Sequence, residues 1–324
     1  MGMMIDGKWD ADATRLPDKD GRFVRKDSAF RSFVAADSNA GFKPERGRYH
    51  LYISYNCPWA HRTAIFRKLK GLDDVVGLSA TVPGIRINGW EFGDFPGATP
   101  PAIAGFTRLY EAYAESDPHY SGSVTVPVLW DKKKRVIVNN ESSEIIRMLN
   151  GAFNACGATG DDYYPEKLRA EIDRVNEVIY KTVNNGVYRC GFATTQAAYE
   201  EAFDQLFATL DEMDARLAKQ RFLVGARTTE ADWRFFVTLL RFDPVYYSLF
   251  KCNERSIASY ANLAPYLRDL YQVPGVAETC NIRHIVRGYY SIANLNPLNI
   301  IPKGPSPAGF HARLMAPHDR ARLA

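Results

Sequence analysis

The sequence predicts an α/β domain joined to an all-α domain, a small mixed sheet with helices on it followed by a helical bundle. Three observations carry this reading. Short apolar or alternating runs fall at 49–54, 75–80, 124–131 and 135–139, all in the first half of the 324 residues. From Glu166 onward apolar residues recur at helical spacing. Between the halves, 151–165 holds Gly151, Gly157, Gly160 and Pro165, a linker by composition. The chain is long enough to bury two cores.

Composition narrows the classes further. Hydrophobic content of 46% and charged content of 24% are those of an ordinary globular protein, and the formal charge of +4 suits small anionic substrates. The run Lys132-Lys133-Lys134-Arg135 reads as a solvated hairpin turn, so no nucleic-acid partner is expected. Five scattered cysteines without a Cys-x-x-Cys pair suggest neither a metal site nor a dithiol centre. Their odd number and the lack of a secretory start point to the reducing cytoplasm, and the acidic residues among the first 47 argue against a mitochondrial presequence. No apolar run approaches the ~20 residues of a membrane span.

Residues 1–47, with Phe23, Phe30, Phe33 and Phe42, read as an irregular extension packed on the body. In Tyr49–Ser54, Leu51 and Ile53 alternate with Tyr52 and Ser54, the period of a half-buried strand. Pro58 then suits the first position of a helix on which Ala60, Ala64, Ile65 and Leu69 share a face and which Gly71 ends. Val75–Ala80 completes a βαβ unit with a parallel pair. A Gly- and Pro-dense loop at 81–105 contains Trp90, and 106–116 reads as a helix with an aromatic face. The runs 124–131 and 135–139 make an antiparallel hairpin. Ser142 is the candidate N-cap of a helix through Leu149. In the second half one helix closes near Asn184-Asn185-Gly186, and a second is capped by Thr194 or Thr195. A third opens on a Thr229/Asp232 capping box, with an interior apolar enough to be central. Two amphipathic helices follow at about 260–271 and 275–290. The proline-rich end from Ser291 reads as an extended tail.

Three places carry chemistry. Cys57 stands where a strand runs into a helix, so unpaired N–H groups and the positive end of the macrodipole favour its thiolate, the nucleophilic form. The competing reading is a small buried hydrophobe. Pro127 cannot donate within a strand, and either a cis Val126–Pro127 bond at a ligand site or a trans proline at a bulge reconciles it. At Glu141-Ser142 a helix start offers N–H groups to a carboxylate and Glu141 offers a charge to an ammonium; a capped, solvated helix end is the alternative.

That order of elements, with Cys57, Val126-Pro127 and Glu141-Ser142, resembles a glutathione transferase with its thioredoxin-like first domain. More narrowly, Tyr55-Asn56-Cys57-Pro58-Trp59-Ala60-His61-Arg62-Thr63 resembles the active-site stretch of the xi class, the glutathionyl-hydroquinone reductases. Gly89-Trp90-Glu91-Phe92, Asp117–Gly122, Thr125–Asp131, Asn140-Glu141-Ser142, Gly288-Tyr289-Tyr290 and Ile301–Pro305 match as well. The resemblance implies a thioredoxin-like glutathione-binding domain at 48–152, a linker at 153–165, a glutathione-transferase-type helical domain at 166–298 and a tail at 299–324. It implies reduction of glutathionyl-hydroquinones by Cys57, through a mixed disulfide that a second glutathione resolves. Glutathione would be a co-substrate, with no metal, in a cytoplasmic homodimer. Val126 would pair with the cysteinyl peptide of glutathione, Glu141 and Ser142 would hold its γ-glutamyl end, and Trp90 would cover it. Tyr188 and Tyr289, or Tyr290 in its place, would face the substrate ring, where a phenol can deliver a proton; core packing is the other reading of these tyrosines. Gly288 stands where the family commonly has His, Ile292 interrupts its Ser-His pair, and Ser123-Val124 replaces a basic residue. The open alternatives are a broader omega-like thioltransferase or dehydroascorbate reductase, and a non-catalytic scaffold of the same fold.

Overall fold

The computed structural model describes residues 2–13, 18–37, 41–101 and 105–323. Residues 1, 14–17 and 38–40 of the expected extension, 102–104 of the 81–105 loop and 324 of the expected tail lie outside them. In chain order the first elements are β1 (Met3–Ile5), β2 (Lys8–Asp10), β3 (Tyr49–Ile53), α1 (Pro58–Leu69), β4 (Gly77–Ala80), α2 (Tyr110–Ser116), β5 (Val128–Asp131), β6 (Val136–Asn139) and α3 (Ser142–Gly151). Helices follow: α4 (Arg169–Ile179), α5 (Gly186–Gly191), α6 (Gln196–Leu217), α7 (Glu230–Arg241), α8 (Tyr247–Leu249), α9 (Leu263–Tyr271), α10 (Ile282–Tyr290) and α11 (Pro307–Leu314). The chain divides into two compact units. One gathers Met1–Arg15, Asp27–Asp161 and Glu278–Ser291, and the other gathers Leu16–Lys26, Asp162–Ala277 and Ile292–Ala324.

The first unit is built on a sheet of order β4-β3-β5-β6, with β3 and β4 parallel and the other pairs antiparallel. The βαβ unit and the hairpin expected from the sequence are both present. Pro127 precedes β5 instead of interrupting it, and the Val126–Pro127 bond is cis. β3 departs from the half-buried expectation, because all five of its residues are buried. Tyr49 meets Phe153 on one face, while on the other Tyr52 packs against Phe92 and Trp130. Aromatic side chains thus cover the face that alternation left to solvent.

The expected irregular extension begins instead with a hairpin. β1 and β2 pair antiparallel around Asp6-Gly7, whose φ values of 46° and 72° are those of the tight turn that Asp-Gly favours. Further on, Ser32 N–H donates to Val138 O at 3.0 Å and Asn140 N–H to Phe30 O at 3.1 Å, so this segment lies along β6.

A buried ion pair clamps the sheet. Arg48 Nε lies 3.0 Å from both oxygens of Asp131, which is fully buried. Burial alone would raise the Asp131 carboxyl, but Arg48 and the Lys133 and Lys134 N–H groups outweigh it and hold it below the usual range. A depressed carboxyl contributes stability above its unfolded value near 4, and loses it as pH falls through the folded value. Asp131→Asn should therefore lower unfolding free energy at pH 7 by about 3 kcal/mol. The deficit should narrow on acidification. Urea unfolding at pH 7 and at a pH below about 4 checks this, and equal stabilities at pH 7 would refute it.

In the second unit α4 runs into a π-helical turn, Tyr180–Asn184, and the segment closes at Asn185, where the sequence places its end, with α5 starting directly at Gly186. Thr195 caps α6, accepting Ala198 N–H at 3.3 Å. Every residue of α7 is buried, as its pattern predicts, and its Thr229/Asp232 capping box is formed. The tail expected to be extended carries α11. Ser306 accepts Gly309 N–H at 3.1 Å, Pro307 occupies the first turn, and Phe310 and Leu314 are buried one turn apart. Proline at that position starts a helix and does not prevent one. Gln272 Nε2 donates to Leu314 O and Ala316 O at 2.8 and 2.9 Å, tying the helix to the end of α9.

Candidate active site

Cys57 is the N-cap of α1, with Pro58 at the first helical position and no acidic residue in the first turn. The residue is 9% exposed, and its Sγ donates to Val126 O at 3.5 Å, across from the cis proline. No acidic side chain in the first turn opposes the dipole that favours a thiolate there. The buried-hydrophobe reading accounts for the burial but not for this placement at a helix N-terminus.

The segment before Pro127 is held by side chains. Trp90, 6% exposed, donates its indole N–H to Val124 O at 3.2 Å. Tyr113 Oη donates to Thr125 O at 2.9 Å and accepts from Thr125 N and Asn140 Nδ2, both at 3.1 Å. One buried phenol therefore ties the approach to Val126 to the approach to Glu141.

Ser142 is not the N-cap that the sequence suggested. Glu141 takes that place, accepting from Ser143 N at 3.0 Å and Ser143 Oγ at 2.9 Å, because its longer side chain folds back on the first turn. Ser142 is instead buried, and Arg62 Nη1 donates to its Oγ at 3.4 Å. Ser28 donates to Glu141 Oε2 at 3.1 Å. Burial pushes the Glu141 carboxyl up, but the Ser143 and Ser28 donors and the Arg62 charge outweigh it and leave it below the usual range. Glu141 is thus a carboxylate at neutral pH, beside a buried guanidinium that stacks 4.5 Å over Trp59.

The first unit thus contains Cys57, Trp90, Val126, Glu141, Ser142, Tyr289 and Tyr290, the two tyrosines being 3% and 8% exposed at the end of α10. Tyr188 belongs to the second unit. There it is half-buried among Phe23, Phe192, Tyr246 and Phe250, with Arg25 5.2 Å over its ring. Sequence reasoning assigned no role to Arg62 or Ser28. Arg62 lies within the Cys57 stretch and could have been singled out as a cation one helical turn and a residue further on. Ser28 carried no signal at all. Among the described residues no group of three His, Cys, Asp or Glu could hold a metal ion, and no helix is long and apolar enough to cross a membrane.

A helix-capping cysteine beside the carbonyl of the residue before a cis proline, on a sheet of this topology, defines a thioredoxin-like thiol site. Family models match at two places: the glutathione S-transferase N-terminal domain over residues 56–152, and its C-terminal domain over 196–269. The glutathionyl-hydroquinone reductase YqjG of Escherichia coli (strain K12) is 50% identical over 313 residues, 94% of this chain and 95% of that protein. Its glutathione-bound structure superposes with a TM-score of 0.89 at 48% identity, covering 99% of each chain. The glutathionyl-hydroquinone reductase PcpF of Sphingobium chlorophenolicum is 50% identical over 307 residues, 94% of this chain and 97% of that protein. A xi-class glutathione transferase structure from Natrialba magadii gives a TM-score of 0.92 at 45% identity, covering 100% of this chain and 98% of the other. This chain belongs to the glutathione S-transferase family, in its xi class.

Proposed function

We propose that this chain is a glutathionyl-hydroquinone reductase, a thiol oxidoreductase that uses glutathione as reductant. The observation that carries the reading is Cys57 Sγ, set at the α1 N-terminus and 3.5 Å from the Val126 carbonyl. The Cys57 thiolate attacks the sulfur of the glutathionyl adduct. The S–S bond forms as the sulfur–carbon bond breaks, and the electron pair stays on the ring carbon, which takes up a proton. A second glutathione thiolate then attacks the mixed disulfide at the glutathionyl sulfur and releases Cys57. The sum is one adduct and one glutathione consumed, with one hydroquinone and one glutathione disulfide formed. Carbon is a poor leaving group for thiol exchange, so proton delivery to the ring is the step that needs help. Tyr188 and Tyr289, with Tyr290 as the other candidate, are assigned to it.

In this reading the Val126 backbone pairs with the cysteinyl peptide of glutathione, and Trp90 covers it. The γ-glutamyl ammonium meets the Glu141 carboxylate, while Ser142 and the α3 N-terminus receive the carboxylate. The same reading places the enzyme in the cytoplasm as a homodimer. The test is incubation with a glutathionyl-hydroquinone and glutathione, with equal release of hydroquinone and glutathione disulfide expected. Reduction of dehydroascorbate without hydroquinone release would instead favour the broader thioltransferase reading.

Glu141→Gln separates binding from chemistry. The amide keeps the side chain's shape but removes the charge that meets an ammonium, so KM for glutathione should rise on the order of tenfold. The kcat at saturating glutathione should change much less. Steady-state rates across a glutathione series decide it, and an unchanged KM would remove Glu141 from the binding assignment.

A further inference from the structure

Asn56, the residue before Cys57, joins three segments of the first unit. Its Oδ1 accepts from Ser54 Oγ at 2.7 Å, inside the turn that Cys57 N–H closes on Ser54 O at 3.0 Å. The same oxygen accepts Gly84 N–H at 3.2 Å, from the loop after β4. Gly288, near the end of α10, meets the Asn56 side chain from another direction. A Cβ at 288 would stand 2.5 Å from Asn56 Cγ and 2.6 Å from its Cβ. Gly84 shows a second close approach. It has a φ of +88°, and a Cβ there would stand 2.4 Å from Ser291 Oγ, which itself donates to Gly288 O at 2.8 Å. Two glycines thus let the catalytic turn, the loop after β4 and the end of α10 close around one carboxamide, 7% exposed. Tyr289 and Tyr290 follow Gly288 directly.

Local preference does not explain Gly288. Alanine would favour the helix over glycine. The side chain that occupies the space of its missing Cβ is Asn56, so the glycine serves this contact. The carboxamide also suits its place chemically. It accepts from a hydroxyl and a backbone N–H without setting a negative charge next to the Cys57 thiolate, as an aspartate would.

We propose that Asn56 is a positioning residue: seated against Gly288, it fixes the Ser54–Cys57 turn to the end of α10, so that the thiol and the tyrosines keep one geometry. This rests on the reading of Cys57 as the catalytic thiol. The test compares N56G, G288A and the N56G/G288A double variant in the full chain. It measures turnover of a glutathionyl-hydroquinone, alkylation of Cys57 by iodoacetamide followed by mass spectrometry, and thermal melting. N56G should lower kcat on the order of ten- to a hundredfold, the cost of a misplacement near 1 Å, with KM for glutathione nearly unchanged. G288A should slow turnover although it favours the helix. The double variant should be no slower than N56G, because a glycine at 56 vacates the space that the methyl group added at 288 needs. Parental turnover and alkylation in N56G, or losses that simply add in the double variant, would overturn the proposal. If N56G unfolds, Asn56→Ala removes the same acceptor with a smaller backbone change and is judged by its own turnover and alkylation, because the Cβ it keeps would still meet a methyl group at 288. If the parent chain releases no hydroquinone, the catalytic reading fails by itself. The alkylation rates still judge Asn56: non-additive rates support it and additive rates overturn it.

Discussion

Cys57→Ser should abolish hydroquinone release, with kcat falling about a thousandfold or more. The serine oxygen does not ionise at neutral pH, and it cannot form the S–S bond that takes the glutathionyl group from the ring. The replacement is nearly isosteric. The N-cap position, Pro58 and the approach to Val126 O are retained, so glutathione should still bind. Calorimetric titration should therefore show glutathione affinity close to that of the parent chain, while turnover is lost. Mass spectrometry gives an independent reading. The parent chain exposed to glutathione disulfide should carry one glutathionyl group at Cys57, and the variant none there. Peptide mapping is needed because Cys156 and Cys280 are also partly exposed. Release undiminished in Cys57→Ser would refute the mechanism, whatever the fate of glutathione binding.

Most of what carries this chemistry was readable because it is local. Cys57-Pro58 sets a thiol at a helix start within two residues. Val126-Pro127 announces itself by a proline where a ladder is expected, and Thr229 with Asp232 spells a capping box at fixed spacing. What could not be read depends on contacts made far along the chain. Ser28 reaches Glu141 across more than a hundred residues, and its hydroxyl is indistinguishable in sequence from any other. Arg62 was visible as part of a motif, but its hydrogen bond to Ser142 appears only when α1 and α3 pack together. The exchange of N-cap between Ser142 and Glu141 turns on which side chain folds back, and residue type does not decide that. The hairpin at Asp6-Gly7 and the helix from Pro307 are different. Both carried ordinary local signals, a two-residue turn and a capped proline start, which the surrounding polar and proline-rich composition obscured.

Asp232→Ala should destabilise the second unit by on the order of 4–5 kcal/mol, among the largest effects a single side chain can have. The carboxylate is fully buried and receives four donors. Oδ1 accepts from Leu223 N at 2.9 Å and Tyr266 Oη at 2.7 Å; Oδ2 accepts from Thr229 N at 2.8 Å and Thr229 Oγ1 at 3.1 Å. Alanine leaves two backbone N–H groups and two hydroxyls to share what acceptors remain, and the backbone groups cannot turn away. Asparagine should fall in between. Its amide must face one of the two donor pairs, where a hydroxyl can rotate but Leu223 N–H or Thr229 N–H cannot. Burial dominates the Asp232 carboxyl and pushes it above the usual range despite its four donors. A raised carboxyl has the opposite linkage to Asp131. Its contribution is complete below the unfolded value near 4 and declines as pH rises through the folded one. The deficit of Asp232→Ala should therefore be larger at pH 4 than at pH 7. Chemical unfolding of parent, Asp232→Asn and Asp232→Ala at the two pH values tests both the order and the sign. A deficit for Asp232→Ala below about 1 kcal/mol, the worth of one ordinary hydrogen bond, would show that α7 does not depend on this carboxylate.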